Sequence, residues 1–86
     1  MAKYRKKVVV LEAVQFTGSN AFEIFNFMGR TRDIIDGELH QTDHPVIHTL
    51  EGNMECMPGD WVICGVKGEF YPCKPDIFAE LYEPAE

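Results

Sequence analysis

The residue types able to do chemistry in this 86-residue chain include three cysteines, three histidines and 14 carboxylates. Cys56, Cys64 and Cys73 are spaced C-x7-C-x8-C, which matches no C-x2-C metal hook. Their odd number, with no secretory leader in view, implies free thiols in a reducing compartment. His40, His44 and His48 recur at every fourth position, a helical spacing, but Pro45 interrupts any helix there. That places the histidines on a loop and the strand after it. A metal site drawn from a mix of these six residues is the weaker reading, so no metal ligand and no cofactor is assigned. For acid–base or nucleophilic catalysis the available groups are Glu12, Asp60, Glu69, Cys73, Lys74 and the histidines. No pair among them has a recognisable catalytic spacing. The chain has no nucleophile elbow, no phosphate loop and no H-x-E with a paired C-x-x-C. These residues are expected to bind rather than to react, and no catalytic residue is assigned.

Binding fits the surface that the composition predicts. The formal charge is −6, unevenly spread. Residues 1–10 hold Lys3, Arg5, Lys6 and Lys7 and no acid, while the rest carries four bases against 14 acids. A +4 arm thus joins a −10 body. Such a body repels phosphate, which disfavours nucleic acid as a partner, and suits a basic protein partner. No apolar run reaches the roughly 18–20 residues of a membrane span. The opening MAKYRKKVVVLEAV meets Glu12 too soon for a signal peptide and offers no small-x-small cleavage site. It reads as a strand of a soluble, cytoplasmic protein.

The elements that position the candidate residues follow from periodicity and turn chemistry. Residues 1–86 make one domain, too small for a dinucleotide fold or a catalytic barrel. Val8 to Phe16 alternates as a strand, with Glu12 an acid set in an otherwise apolar face. Asn20 and Glu23 have the spacing of a capping box, and a helix is predicted over 21–28, ended by Gly29. Only Glu23 and Asn26 are polar on that helix, so its phenylalanines fill the core or, in the second reading, form a homodimer contact. Arg30 to Pro45 reads as a long polar loop. Val46–Leu50 and Met54–Met57 are expected to pair across a Glu51-Gly52-Asn53 turn. Pro58-Gly59 has the chemistry of a type II turn. Trp61–Cys64 and Glu69–Cys73 form a second hairpin around Gly65–Gly68. Pro75 opens a helical turn, and Ala79 to Glu83 reads as a closing strand. The sum is an α+β fold: a small curved, mostly antiparallel sheet of five to six strands with one helix packed on it.

In the second hairpin Glu69, Tyr71 and Cys73 share a face if the ladder is in register, and Trp61 joins them. With Lys67, Lys74 and Glu12 they make the predicted ligand- or partner-binding set, Tyr71 and Trp61 supplying amphipathic rings.

Several segments together carry a resemblance: Tyr4-Arg5-Lys6-Lys7 with Glu12-Ala13-Val14-Gln15, Thr49-Leu50-Glu51-Gly52, and the long block from Pro58-Gly59-Asp60-Trp61 to Pro75-Asp76-Ile77-Phe78. In these the chain resembles a family of small proteins encoded by bacteriophages and prophages. Val8 stands where that family has a proline. The resemblance implies a context, the cytoplasm of an infected host cell, and no mechanism. The expected function is a non-enzymatic binding module acting on a host protein or a small ligand. A virion structural or assembly component is the alternative, with a small hydrolase or metal-dependent enzyme below it.

Overall fold

The computed structural model describes residues 1–85. Within them the chain forms β1 (Glu12–Gln15), α1 (Ala21–Phe27), α2 (Thr31–Ile35), β2 (Val46–Thr49), β3 (Gly52–Glu55), β4 (Trp61–Cys64), β5 (Phe70–Cys73) and α3 (Pro75–Leu81). The α+β class and the antiparallel pairing are as expected from the sequence. The sheet itself is divided. β1, β4 and β5 form a three-stranded sheet in the order β1-β4-β5, and β2 and β3 form a separate hairpin.

Pro72 gives a physical reason for the division. The Gly65 N–H donates to the Glu69 carbonyl at 2.7 Å, and β4 pairs with β5 in the register Val62–Pro72 and Ile63–Tyr71. Antiparallel alternation then makes Val62–Pro72 a non-hydrogen-bonded pair. The nitrogen of Pro72 therefore lies on the side of β5 away from β4, and β2 packs close to β5 without joining it. A ladder between β5 and β2 would need an N–H there, and proline has none.

The other differences from the sequence reading are local. The first strand begins at Glu12 rather than Val8, because its partner β4 ends at Cys64 and turns back toward β5 at Gly65. β-branched residues without a partner strand have no ladder to join. The β2–β3 turn is the two residues Leu50 and Glu51, so β3 starts at Gly52, earlier than expected. Ala79–Glu83 is not a strand. α3 continues from Pro75 at its first turn to Leu81, and the i,i+4 spacing of Phe78 and Tyr82 stacks their rings 5.0 Å apart. The long loop includes the short helix α2, and Ile34 and Leu39 pack against the core.

That core fills one face of the three-stranded sheet. Phe16, Ala21, Ile24, Phe25, Ile47, Cys56 and Val62 are buried together, with Val14, Phe27 and Phe70 partly buried around them. The rings of Phe27 and Phe70 meet edge to face at 5.5 Å. α1 thus directs its apolar residues into its own chain. Its first amides are held in an unforeseen way. Asn20 makes no cap bond; its Oδ1 accepts from the Thr17 N–H and its Nδ2 donates to Glu23. Gln41, twenty residues away, does the capping: its carbonyl accepts from the Ala21 N–H and its Oε1 from the Phe22 N–H, both at 3.0 Å.

The Pro58-Gly59 turn behaves as its chemistry dictates. Gly59 has φ +96°, and the Asp60 N–H closes the turn onto the Met57 carbonyl. Gly59 N–H then donates to the Phe16 carbonyl while Phe16 N–H donates to that of Asp60. Two residues therefore oppose one, a bulge that requires glycine at its first position.

Candidate binding cleft

The strand pairing assigns the predicted residues to faces. Trp61 stands opposite Cys73 and Ile63 opposite Tyr71, so Trp61, Tyr71 and Cys73 share the face of the sheet opposite the main core. Ala13 and Gln15 of β1 join them there. α3 covers part of this face. The Phe78 ring lies parallel on Trp61 at 4.1 Å with 5° between planes, and Tyr82 stacks on Phe78.

Beyond that stack the covering is incomplete. A cleft of about 590 Å³ opens between the leading segment, the Gly65–Glu69 turn and the end of α3. Val8, Val10, Val66 and Leu81 supply its apolar lining, Tyr71 and Tyr82 bring two phenolic hydroxyls, and Lys6, Lys7, Glu69 and Glu83 set charges of both signs around it. The Tyr71 hydroxyl is pushed up to about 12, first by burial and then by its neighbour Tyr82, with Glu69 and Cys73 adding to the effect. It is therefore a neutral donor and acceptor at physiological pH.

Not every predicted residue faces this cleft. Glu69 lines it, but the carboxylate also folds back over its own turn, where Oε2 accepts from the Lys67 N–H at 3.0 Å. The bare α-carbon of Gly65 leaves room for that carboxylate; a Cβ there would collide with it. Lys67 engages only through its backbone in this turn. Lys74 is committed elsewhere, its Nζ 3.2 Å from Asp60 Oδ2. Glu12 sits on the other face of the sheet, opposite Cys64, beside a shallower hollow of about 390 Å³. Trp61 is occupied by its stack with Phe78, and Cys73 lies across from it. Of the seven predicted residues, Tyr71 and Glu69 line the cleft. Tyr82, Leu81 and the 6–11 segment are the lining that sequence reasoning missed. The Phe78/Tyr82 spacing after a helix-opening proline was the available signal for α3.

Two of the three thiols, Cys56 and Cys73, are poorly suited to nucleophilic work. All three are free. Cys56 is buried, and burial, with the charge of Asp60 adding and that of Lys74 opposing, raises its thiol to about 11. Cys73 is raised by burial first and then by Asp60 and Asp76. The reactive species is the thiolate, so both are weak nucleophiles near neutrality. Among the described residues no three His, Cys, Asp or Glu side chains gather into a metal-holding group.

Burial of the Cys56 thiol makes stability depend on pH. Its folded-state pKa lies above the ordinary value of 9.0, so the stabilisation is complete below pH 9 and is lost as pH rises from about 9 through about 11. Chemical denaturation across that window is expected to show a loss of about 2 kcal/mol that a Cys56→Ala variant lacks. Equal slopes in the two proteins would refute this.

Comparison with known proteins finds no matching family model, no matching curated protein and no matching solved structure. No helix among the described residues is long and apolar enough to cross a membrane.

Proposed function

We propose that the chain is a small non-enzymatic binding module of phage or prophage origin, acting in the host cytoplasm on a host protein or a small ligand. The observation that carries this reading is the cleft beside Tyr71 and Tyr82. Its volume of about 590 Å³ falls within the range of about 300–1,000 Å³ usual for ligand sites. Apolar walls with two phenolic hydroxyls and charges at the rim suit a ligand, or a protruding segment of a protein, that is part apolar and part polar. The raised thiols support binding over covalent chemistry.

The test is a thermal-shift screen against host metabolites, joined to affinity capture from host extract. A true occupant raises the melting temperature of the wild-type chain in proportion to its binding. The same occupant is expected to lose at least tenfold in affinity on Leu81→Asp, which charges the cleft wall from an exposed position. An occupant that binds Leu81→Asp as tightly as wild type would place the site elsewhere. Absence of any occupant across both screens would defeat the reading.

The virion assembly alternative draws support from a different feature, the unpaired outer edge of β1 and the extended segment leading into it. Its presence in purified particles would favour that reading, and its absence there would exclude it.

A further inference from the structure

Residues 1–11 belong to no helix or strand, yet they contain the most β-prone run in the chain, Val8-Val9-Val10. These valines are 98%, 52% and 75% exposed. The molecule measures 54 Å along its long axis against 24 and 23 Å across. The segment leads directly into β1, an edge strand with no strand among the described residues paired on its outer side. An exposed apolar strand continuous with an open edge is the arrangement proteins normally guard against, because it templates pairing with another chain.

The phase of that edge is fixed by the ladder. The Phe16 N–H and carbonyl are both bonded across to the Gly59–Asp60 bulge. Alternation therefore turns the backbone groups of Val14 and Glu12 toward β4, and those of Gln15, Ala13 and Leu11 outward. The Gln15 carbonyl agrees with this phase: it is taken by Asn20 Nδ2 at 2.9 Å, which closes that end. The open edge runs from Ala13 back through Leu11 into the valines.

We propose that this edge, residues 5–13, pairs antiparallel with the same edge of a second copy about a two-fold axis at Val9, making one continuous sheet from two chains. Hydrogen bonding requires outward-pointing residues to face each other, so odd positions pair with odd and even with even. Glu12 makes no ion pair among the described residues and stands at an even position. Of the four bases Lys3, Arg5, Lys6 and Lys7, only Lys6 is even. A single register therefore places Glu12 directly opposite a base. In it Lys6 faces Glu12 twice, Val8 faces Val10 twice, and Val9 meets its own copy on the axis; pairing turns Lys6, Val8 and Val10, which border the cleft in the single chain, to the Glu12 face of the sheet. Residues 3–7 of each chain then lie along residues 11–15 of the other, where Glu12 is the acid. A symmetric contact of this kind closes as a dimer and does not propagate.

Sedimentation and light scattering at low salt are expected to give twice the 9.8 kDa chain mass. Lys6→Glu and Glu12→Lys are each expected to weaken association roughly tenfold or more, since attraction becomes repulsion at both symmetric pairs. The double reversal is expected to restore it. Val9→Pro removes an N–H from the axial pair and is expected to give a monomer with an unchanged far-ultraviolet spectrum, because residue 9 lies outside every helix and strand. A wild-type chain that stays monomeric at every concentration overturns the proposal. So does a dimer that survives Val9→Pro, or single reversals that the double variant does not rescue. Either of these last two results places the contact on another surface, such as α1.

Discussion

Phe16→Ala is expected to cost about 4 kcal/mol, a large share of the roughly 5–15 kcal/mol that stabilises a small domain. The Phe16 ring is wholly buried, in one cluster with Ala21, Ile24 and Phe25 of α1, Ile47 of β2, Val62 of β4 and Cys56. Its edge-to-face neighbour is His44 at 5.9 Å. Each of those elements packs on the shared core, so a cavity at Phe16 is lined from several sides and collapses poorly. The backbone adds to this, because Phe16 is the residue that the Gly59–Asp60 bulge grips on both its N–H and its carbonyl. That grip resists the shift needed to fill the void. Phe16→Leu keeps most of the volume and is expected to cost about 1.5 kcal/mol. Urea denaturation measures both, and a loss below about 1.5 kcal/mol for the alanine variant would show that the core is not organised around this ring.

Asp60→Ala carries the second large effect, about 3 kcal/mol. Asp60 is a buried acid, 3% exposed, in a core that is otherwise apolar. Oδ2 accepts from the Met57 N–H at 2.9 Å, and both carboxylate oxygens lie within 3.3 Å of Lys74 Nζ. The carboxylate therefore ties the Pro58-Gly59 turn to the start of α3. Alanine leaves the Met57 N–H without its partner and releases Lys74 to solvent. Asp60→Asn keeps an acceptor for the Met57 N–H but loses the charge, so it is expected to cost about half as much. Lys74→Met leaves the carboxylate buried with only the amide to compensate it. Combining Asp60→Asn with Lys74→Met is then expected to cost less than the sum of the two. Strict additivity in that cycle would mean that the two side chains do not interact.

Local chemistry in the sequence was a good guide where a few adjacent residues decide the geometry. Pro58-Gly59 announces its turn, Gly29 with φ +74° ends α1, and alternation in β4 separates Trp61 and Ile63 from Val62 and Cys64. Distant residues decided the rest. How far β1 extends depends on where β4 turns away, some fifty positions along. The division of the sheet depends on which way the nitrogen of Pro72 points, and that is known only once the register with β4 is known. α1 is capped by Gln41, whose contribution no local pattern announces. The candidate site shows the same split. Alternation brings Trp61, Tyr71 and Cys73 to one face, as expected from the strand pattern. Lys74 reads as a free cation in the sequence because its partner Asp60 lies fourteen residues earlier. Leu81 and Tyr82 reach the cleft because the helix opened by Pro75 runs on to Leu81, where Ala79–Glu83 reads in the sequence as a closing strand.

Engagement of a partner at the cleft beside Tyr71 and Tyr82, the proposed site, is read out by amide hydrogen exchange on the chain in bacterial extract against buffer alone. Slowed exchange is expected over Gly65–Tyr71 and Leu81–Glu83, with the β2–β3 hairpin unchanged. Protection confined to that hairpin or to α1, or no protection anywhere, would contradict it.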